Sequence, residues 1–245
     1  MKIVAIIPCR YGSKRFEGKP LSMILGKPMV WWVYSSVQNA DILSDVAVAT
    51  DDERIYQCVK DFGGRVVMTE PVHRSGTDRV TEAARKLNLE DRDIVINIQG
   101  DQPIFDFRCL PEVVDPLLKD EDLDMSTLAC KMIDPDEITD PNHVKVIFDQ
   151  NRDALYFSRS PIPFGRDSSV KFDYFKHLGI YAYRKRFLER FVKLPEGRLE
   201  AIEKLEQLRA LEYGYRIKVV ETVHESMAVD TPGDIARVEA VLRSQ

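Results

Sequence analysis

The sequence predicts an α/β fold with a doubly wound, mostly parallel central sheet flanked by helices. It also predicts an antiparallel extension reaching outward in the middle third. Three observations carry this. Residues 2–8, 46–50 and 93–98 are nearly continuous apolar runs, the mark of parallel strands buried on both faces. Segments of helical period alternate with the strands up to about residue 100, which is how a parallel sheet is wound. A glycine-containing loop carrying Arg10, Lys14, Arg15 and Lys19 follows the first strand directly, and that end of a strand is where open α/β sheets hold ligands.

The elements follow in order. Residues 2–8 form the first strand. Residues 27–39 form a crossover helix with Met29, Trp32, Val33 and Ser36 on one face. Strand 46–50 runs into Asp51-Asp52-Glu53, acids suited to a helix N-terminus; that helix ends at Gly63-Gly64. Strand 65–68 precedes the polar turn His73-Arg74-Ser75-Gly76-Thr77, where Ser75 or Thr77 can cap helix 78–87. Strand 93–98 opens into Gln99-Gly100-Asp101-Gln102-Pro103. Helix 106–118 follows, then strands 124–132 and 144–149 joined by a Pro- and Asp-rich connector. A turn at residues 149–151 leads to the return strand 154–158, and 159–173 is loop. Strand 176–183 alternates Leu178, Ile180 and Ala182. Helix 186–192 precedes one long amphipathic helix over 199–213, with Ile202, Leu205, Leu208 and Leu211 on a shared face and Glu203 and Gln207 four apart on one side. Strand 216–222 and helix 232–242 complete the chain, with Thr231 and Pro232 as N-cap and first helical residue.

Composition bounds the function. The chain has 245 residues, 44% hydrophobic and 31% charged, with a net charge of −5, so it is expected to be one domain with a sizeable core and no global field for nucleic acid. Cys9, Cys58, Cys109 and Cys130 form no C-x-x-C pair, and the four histidines show no metal-ligand spacing. A reduced, cytoplasmic protein without export signal or membrane span is expected.

The basic loop suits a polyphosphate, because backbone N–H groups near glycine and cationic side chains act together. It is not a Walker A loop: five residues separate Gly12 from Gly18, and Pro20 follows Lys19 where Ser or Thr would stand. Asp101, just past a buried strand, and Asp230, before the last helix, are each either a turn or cap residue or a ligand of a divalent ion. Mg²⁺ takes one or two carboxylates and completes its shell with phosphate and water. Polycationic loop plus isolated acids point to phosphoryl or nucleotidyl transfer without a covalent nucleophile.

The runs IIPCRYGSKRFEGKPL, SGTDR, NIQGDQP, ALYFSR, KHLGIYAYR, IEKLEQLRALEYG and VDTPGDI occur in this order over nearly the whole chain. Together they resemble the 3-deoxy-manno-octulosonate (KDO) cytidylyltransferase family, which has a nucleotide-diphospho-sugar transferase-like fold. The resemblance implies conversion of CTP and KDO to CMP-KDO and pyrophosphate, Mg²⁺ dependence, a homodimer and a place in lipopolysaccharide biosynthesis. It divides the single domain, residues 1–245, into a nucleotide-binding half, 1–105, and a sugar-binding and dimerisation half, 106–245. It implies that Arg10, Ser13, Arg15 and Lys19 hold the CTP phosphates, with Arg15 and Lys19 stabilising the leaving pyrophosphate. Thr50, Asp51, Ser75 and Arg79 would frame the cytidine side, with Gln99 between nucleotide and sugar. Asp101 and Asp230 would bind the metal. Arg159, His177, Tyr181, Glu206 and Gln207 would line the sugar pocket, with Arg159 and His177 facing the sugar carboxylate. The sequence departs from the family's usual QGDEP at Gln102, and in this it is similar to a subgroup that uses the 8-amino analogue of KDO. Two other readings are a sialic acid cytidylyltransferase, which would share the first loop, and a nucleotide-binding regulatory module without turnover.

Overall fold

The computed structural model describes residues 1–12, 16–167 and 169–244. Ser13 and Arg15 therefore lie outside the described residues.

Strand β1 (Ile3–Cys9) is buried on both sides. A short 3₁₀ turn at Lys19–Leu21 follows the loop. Strands β2 (Met23–Ile24) and β3 (Lys27–Pro28) then make a small hairpin that the hydrophobic pattern did not announce. Its turn holds Leu25 at φ 46° and Gly26 at φ 77°, the paired positive values that a two-residue hairpin of this hand requires. Next come α1 (Met29–Val37), β4 (Asp45–Thr50), α2 (Glu53–Asp61), β5 (Val66–Met68), α3 (Gly76–Lys86) and β6 (Ile94–Asn97). The second half has α4 (Cys109–Lys119), β7 (Met125–Lys131), α5 (Pro135–Thr139), β8 (Lys145–Phe148), β9 (Ala154–Ser158), β10 (Phe175–Arg184), α6 (Lys185–Phe191), α7 (Arg198–Glu203), α8 (Gln207–Glu212), β11 (Lys218–Glu221) and α9 (Asp234–Arg243).

The main sheet runs β11-β7-β10-β6-β1-β4-β5, with the β8-β9 hairpin branching from β10. β6, β1, β4 and β5 pair in parallel, as do β11 and β7. β10 alone runs backwards between β6 and β7. Alternate residues of β1 feed two cores. Ala5, Ile7 and Cys9 face α1, α2 and α4 through Val33, Ile55 and Val113. Val4 and Ile6 face α3 and α6 through Val80, Ala83 and Phe187. Each such aliphatic side chain removed from water contributes roughly 1.5–3 kcal/mol, so the parallel half is fixed by packing on both faces.

The expected helix over 199–213 is two helices. Lys204 between them is left-handed, with φ 54°. Ile202 is consequently 67% exposed while Leu205 and Leu208 are buried, and Glu203 and Gln207 no longer share a face. The physical reason lies outside the helix. Glu203 turns to the end of β9, where its carboxylate accepts from Ser158 Oγ at 2.7 Å and from Arg159 N at 3.0 Å. The last helix begins at Asp234, two residues later than expected. Its Asp234 Oδ2 accepts from Asp230 N at 3.0 Å and Thr231 N at 2.8 Å, so the capping carboxylate comes from inside the helix.

Lys204 is the element to test. A left-handed side-chain residue carries a steric cost that glycine lacks, and among the described residues its only ion pair, with Glu196, is stretched to 4.0 Å. Lys204→Gly is expected to raise stability by about 0.5–1 kcal/mol, read as a higher urea midpoint with an unchanged slope. A lower midpoint would mean that the bend is held by the lysine itself.

Candidate functional site

β1, β4 and β6 are parallel, so their carboxyl ends meet at one edge of the sheet. A cavity of about 520 Å³ opens there. Of the residues expected in the nucleotide half, Arg10, Lys19, Ser75, Arg79, Gln99 and Asp101 line it. The 3₁₀ turn after the loop carries Lys19 back over the edge. The N-terminus of α3 points in, with Ser75 and Gly76 in the wall. Ser75 is the N-cap: its Oγ accepts from Asp78 N at 3.1 Å. The remaining N–H groups of that first turn and the helix dipole favour an anion.

Thr50 and Asp51 stand behind the wall rather than in it. Thr50 is fully buried, pairs in register with Cys9, and its Oγ1 accepts from Asp52 N at 3.2 Å. Asp51 forms an ion pair with Arg79 at 3.0 Å, and Arg79 Nη1 also donates to Thr69 Oγ1 at 2.5 Å. Arg79 is only 5% exposed, so its guanidinium is fixed by two partners before any ligand arrives. His73 also lines the cavity, a position the sequence reading did not single out. The signal was the turn itself, since His73 precedes the Arg74-Ser75-Gly76 run. Its Nε2 is bonded to Glu82. Burial pushes the Glu82 carboxyl up, but Lys86, the Glu70 N–H and His73 together pull it down to about 2, so it stays ionised and holds the turn. Cys9 lies in the wall, where burial and then Asp101 push its thiol up to about 12. It is therefore protonated and no covalent nucleophile.

The two acids meet through backbone. Val229 N donates to Asp101 O at 2.8 Å, and Ile104 and Met227 form an antiparallel bridge beside it. Asp230 therefore follows directly on the segment paired with Asp101. Lys19 Nζ donates to Asp101 Oδ2 at 2.8 Å and to Val229 O at 2.9 Å. Gly100 permits this approach: a Cβ there would stand 2.7 Å from Cys9 Sγ and 3.0 Å from Pro8 O. Among the described residues no group of three or more His, Cys, Asp or Glu side chains gathers to hold a metal. Two carboxylates, one in the turn after β6 and one in the segment paired with that turn, are hard-oxygen donors, which suit Mg²⁺ only if a ligand's phosphates supply the rest of its shell.

The residues expected on the sugar side gather near the same edge because β10 is reversed. Its first half lies beside the carboxyl end of β7, with His177 opposite Ala129, and Tyr181, further along, stands opposite Asn97 at the carboxyl end of β6. Tyr181 packs between His177 and Tyr183, with ring centroids at 5.3 and 5.7 Å. Glu206, in the bend between α7 and α8, accepts a hydrogen bond from Thr77 Oγ1 of α3. Burial pushes the Glu206 carboxyl above its usual range, against the opposing pull of Thr77 and Ser75. Gln207 beside it is buried, and the Arg209–Glu200 ion pair holds the corner from within, with Arg209 Nε 2.7 Å from Glu200 Oε2.

His177 is corrected on one point. Burial lowers its pKa to about 3, so it is neutral and brings no charge to a carboxylate. Thr127 Oγ1 stands 2.8 Å from Ile180 O and 2.9 Å from His177 Nε2; with its one proton given to Ile180 O, it accepts from Nε2–H. The Nδ1 atom is left as an acceptor, a partner for a hydroxyl. Arg159 keeps its charge. Its Nε donates to Glu203 O at 2.7 Å and its Nη1 to Pro141 O at 2.8 Å. These are carbonyls, and among the described residues Arg159 has no carboxylate ion-pair partner.

The family model described as cytidylyltransferase matches residues 4–220. The chain is 57% identical over 245 residues, all of both chains, to a 3-deoxy-manno-octulosonate cytidylyltransferase of Desulfatibacillum aliphaticivorans. It is 54% identical over 243 residues, 99% of each chain, to an 8-amino-3,8-dideoxy-manno-octulosonate cytidylyltransferase of Shewanella halifaxensis. Among solved structures it is similar to CMP:2-keto-3-deoxy-manno-octonic acid synthetase complexed with CTP, with a TM-score of 0.93 and 42% identity over 100% of this chain and 99% of that one.

The neutral His177 sets a pH dependence. Below about pH 6.5 the unfolded chain binds a proton there that the native state takes up only near pH 3, so stability falls as pH drops through that window. From pH 7 to pH 5 the loss is about 2 kcal/mol. His177→Phe is expected to remove that part of the slope in urea unfolding at the two pH values. Equal slopes in both proteins would show that His177 takes up its proton as readily in the native state as in the unfolded chain.

Proposed function

The chain belongs to the cytidylyltransferase family, and we propose that it joins CMP from CTP to an eight-carbon 3-deoxy-ulosonic acid, releasing pyrophosphate. The observation that carries this reading is the cavity itself. Lys19, Arg79, Arg10 and the N-terminus of α3 surround it, Asp101 lies in its wall, and the backbone of Asp101 is paired with Val229, the residue before Asp230. A triphosphate suits the cations, and its α-phosphate suits the acids through a divalent ion.

In the proposed reaction the 2-hydroxyl of the sugar attacks the α-phosphorus in line. The bond between that phosphorus and the β-phosphate's bridging oxygen breaks, and the hydroxyl proton is lost to solvent. Lys19 and Arg10 offset the charge that builds on the departing pyrophosphate. Arg79, fixed by Asp51 and Thr69, and Ser75 position the nucleotide, and Gln99 stands between the two substrates. Asp101 and Asp230 would hold Mg²⁺, which when bound neutralises phosphate charge and eases ionisation of the attacking hydroxyl. Arg159 pairs with the sugar carboxylate, His177 Nδ1 accepts from a sugar hydroxyl, and Tyr181, Glu206 and Gln207 shape the rest. The relatives named for KDO and for its 8-amino analogue are almost equally similar, so both sugars are candidates. Activity in the cytoplasm for lipopolysaccharide assembly belongs to the same reading. So does a homodimer. Ile133 and Phe164, 89% and 87% exposed, are apolar surface in the half expected to dimerise.

Pyrophosphate release from CTP and Mg²⁺, with KDO and 8-amino-KDO supplied separately and then in competition, tests the activity and chooses the sugar. Silence with both sugars would overturn it. Asp101→Asn and Asp230→Asn are each expected to lower kcat by ~100-fold or more with an unchanged circular dichroism spectrum. Near-normal turnover in either variant would take that residue out of the metal site.

A further inference from the structure

We infer that Asn97, which opens the run NIQGDQP without a role assigned to it there and lies outside the cavity wall, is a further substrate-binding residue on the sugar side. Its carboxamide oxygen would accept a hydrogen bond from a sugar hydroxyl. The inference rests on the sugar-activating reading above.

Asn97 is the last residue of β6 and is 2% exposed. Its Oδ1 is buried and has no hydrogen-bond partner among the described residues. A buried amide oxygen left in this state costs roughly 1–3 kcal/mol, and the great majority of such atoms are satisfied. The strand offers no structural reason for the cost. Val95, two residues earlier on the same face, packs in the core, and an aliphatic side chain of the same size would fill position 97 without penalty.

The surroundings say which donor is missing. Side chains alternate along a strand, so Asn97 shares a face with Val95 and with Gln99, which lines the cavity. Across the antiparallel pair with β10 its register partner is Tyr181, and directly opposed residues in such a pair place their Cβ atoms about 4.5–5.5 Å apart. Asn97 thus lies between the nucleotide cavity and the aromatic row that begins at His177. An amide oxygen there can recognise a neutral donor. A hydroxyl fits this description, while a carboxylate or phosphate would be repelled. The polyhydroxylated chain of an ulosonic acid supplies such donors and CTP's phosphates do not.

The test separates a binding role from a structural one. Asn97→Leu keeps the size and removes the orphaned oxygen. The KM for KDO (or for 8-amino-KDO, whichever the wild type turns over) is expected to rise 10- to 100-fold. The KM for CTP should stay within twofold, and the melting temperature should hold or increase. A sugar KM within twofold of wild type would overturn the inference. So would a parallel rise of both KM values with a lower melting temperature, which is the signature of a structural amide. If Asn97→Leu does not fold, Asn97→Ala removes the same oxygen, and the same split in KM is required of it. Wild-type protein run alongside keeps the two claims apart: no wild-type turnover defeats the activity, whereas wild-type turnover with an unaltered variant defeats only the role of Asn97.

Discussion

The ammonium of Lys19 joins three parts of the chain. It donates to Asp101, 82 residues away, and to the carbonyl of Val229, 210 residues away. It ties the loop after β1, the turn after β6 and the segment before α9 together, beside the apolar cluster in which Phe16, Ile104, Met227 and Val229 meet. As an ion pair it is not strong, because Asp101 is one-third exposed and water screens the attraction. Its value is positional. It draws the loop down onto the acids, and it keeps a positive charge where a phosphate chain would pass. Gly100 makes the draw possible by letting the backbone press against Cys9 and Pro8.

The same economy appears in Arg79. A protein of net charge −5 has no general attraction for a nucleotide, so attraction must be built locally. Asp51 and Thr69 hold the buried guanidinium in one orientation. Glu82, kept ionised, holds the preceding turn by accepting from Glu70 N at 2.9 Å and from His73. Acids behind the wall thus position cations and donors in the wall. Preorganisation of this kind removes ordering costs from the binding step.

Much of this was legible in the sequence because one physical cause governed each stretch. Strands β1, β4 and β6 are buried on both faces, so their residues had to be apolar throughout. The loop after β1 had to be both glycine-containing and cationic. The misses have a different origin: there, distant partners overruled local preference. Residues 199–213 read as one helix because their period is helical, yet Ser158 and Arg159 turn Glu203 outward and the chain bends at Lys204. Leu25-Gly26 makes a hairpin too short for any period to show. Thr50 and Asp51 read as contacts because they end a strand at the right edge, but β4 lies one strand further out and their side chains support the wall. His177 was expected to face the sugar carboxylate, whereas burial keeps it neutral. Asn97 opens the run NIQGDQP but drew no role there, since its meaning lies in a hydrogen bond that is missing.

The reversed strand β10 also bears on how the molecule comes to be. It pairs with β6 on one side and β7 on the other, so the middle of the sheet is closed by residues 175–184. A chain synthesised only to residue 105 would carry β1, β4, β5 and β6 with the far side of β6 unpaired. Its N–H and C=O groups would then form an open edge of apolar sequence, the kind that recruits other strands. Residues 175–184 therefore complete a sheet that the first hundred residues leave open. The first half waits for the second before its sheet is safe in water, and the polar end of that waiting edge is Asn97.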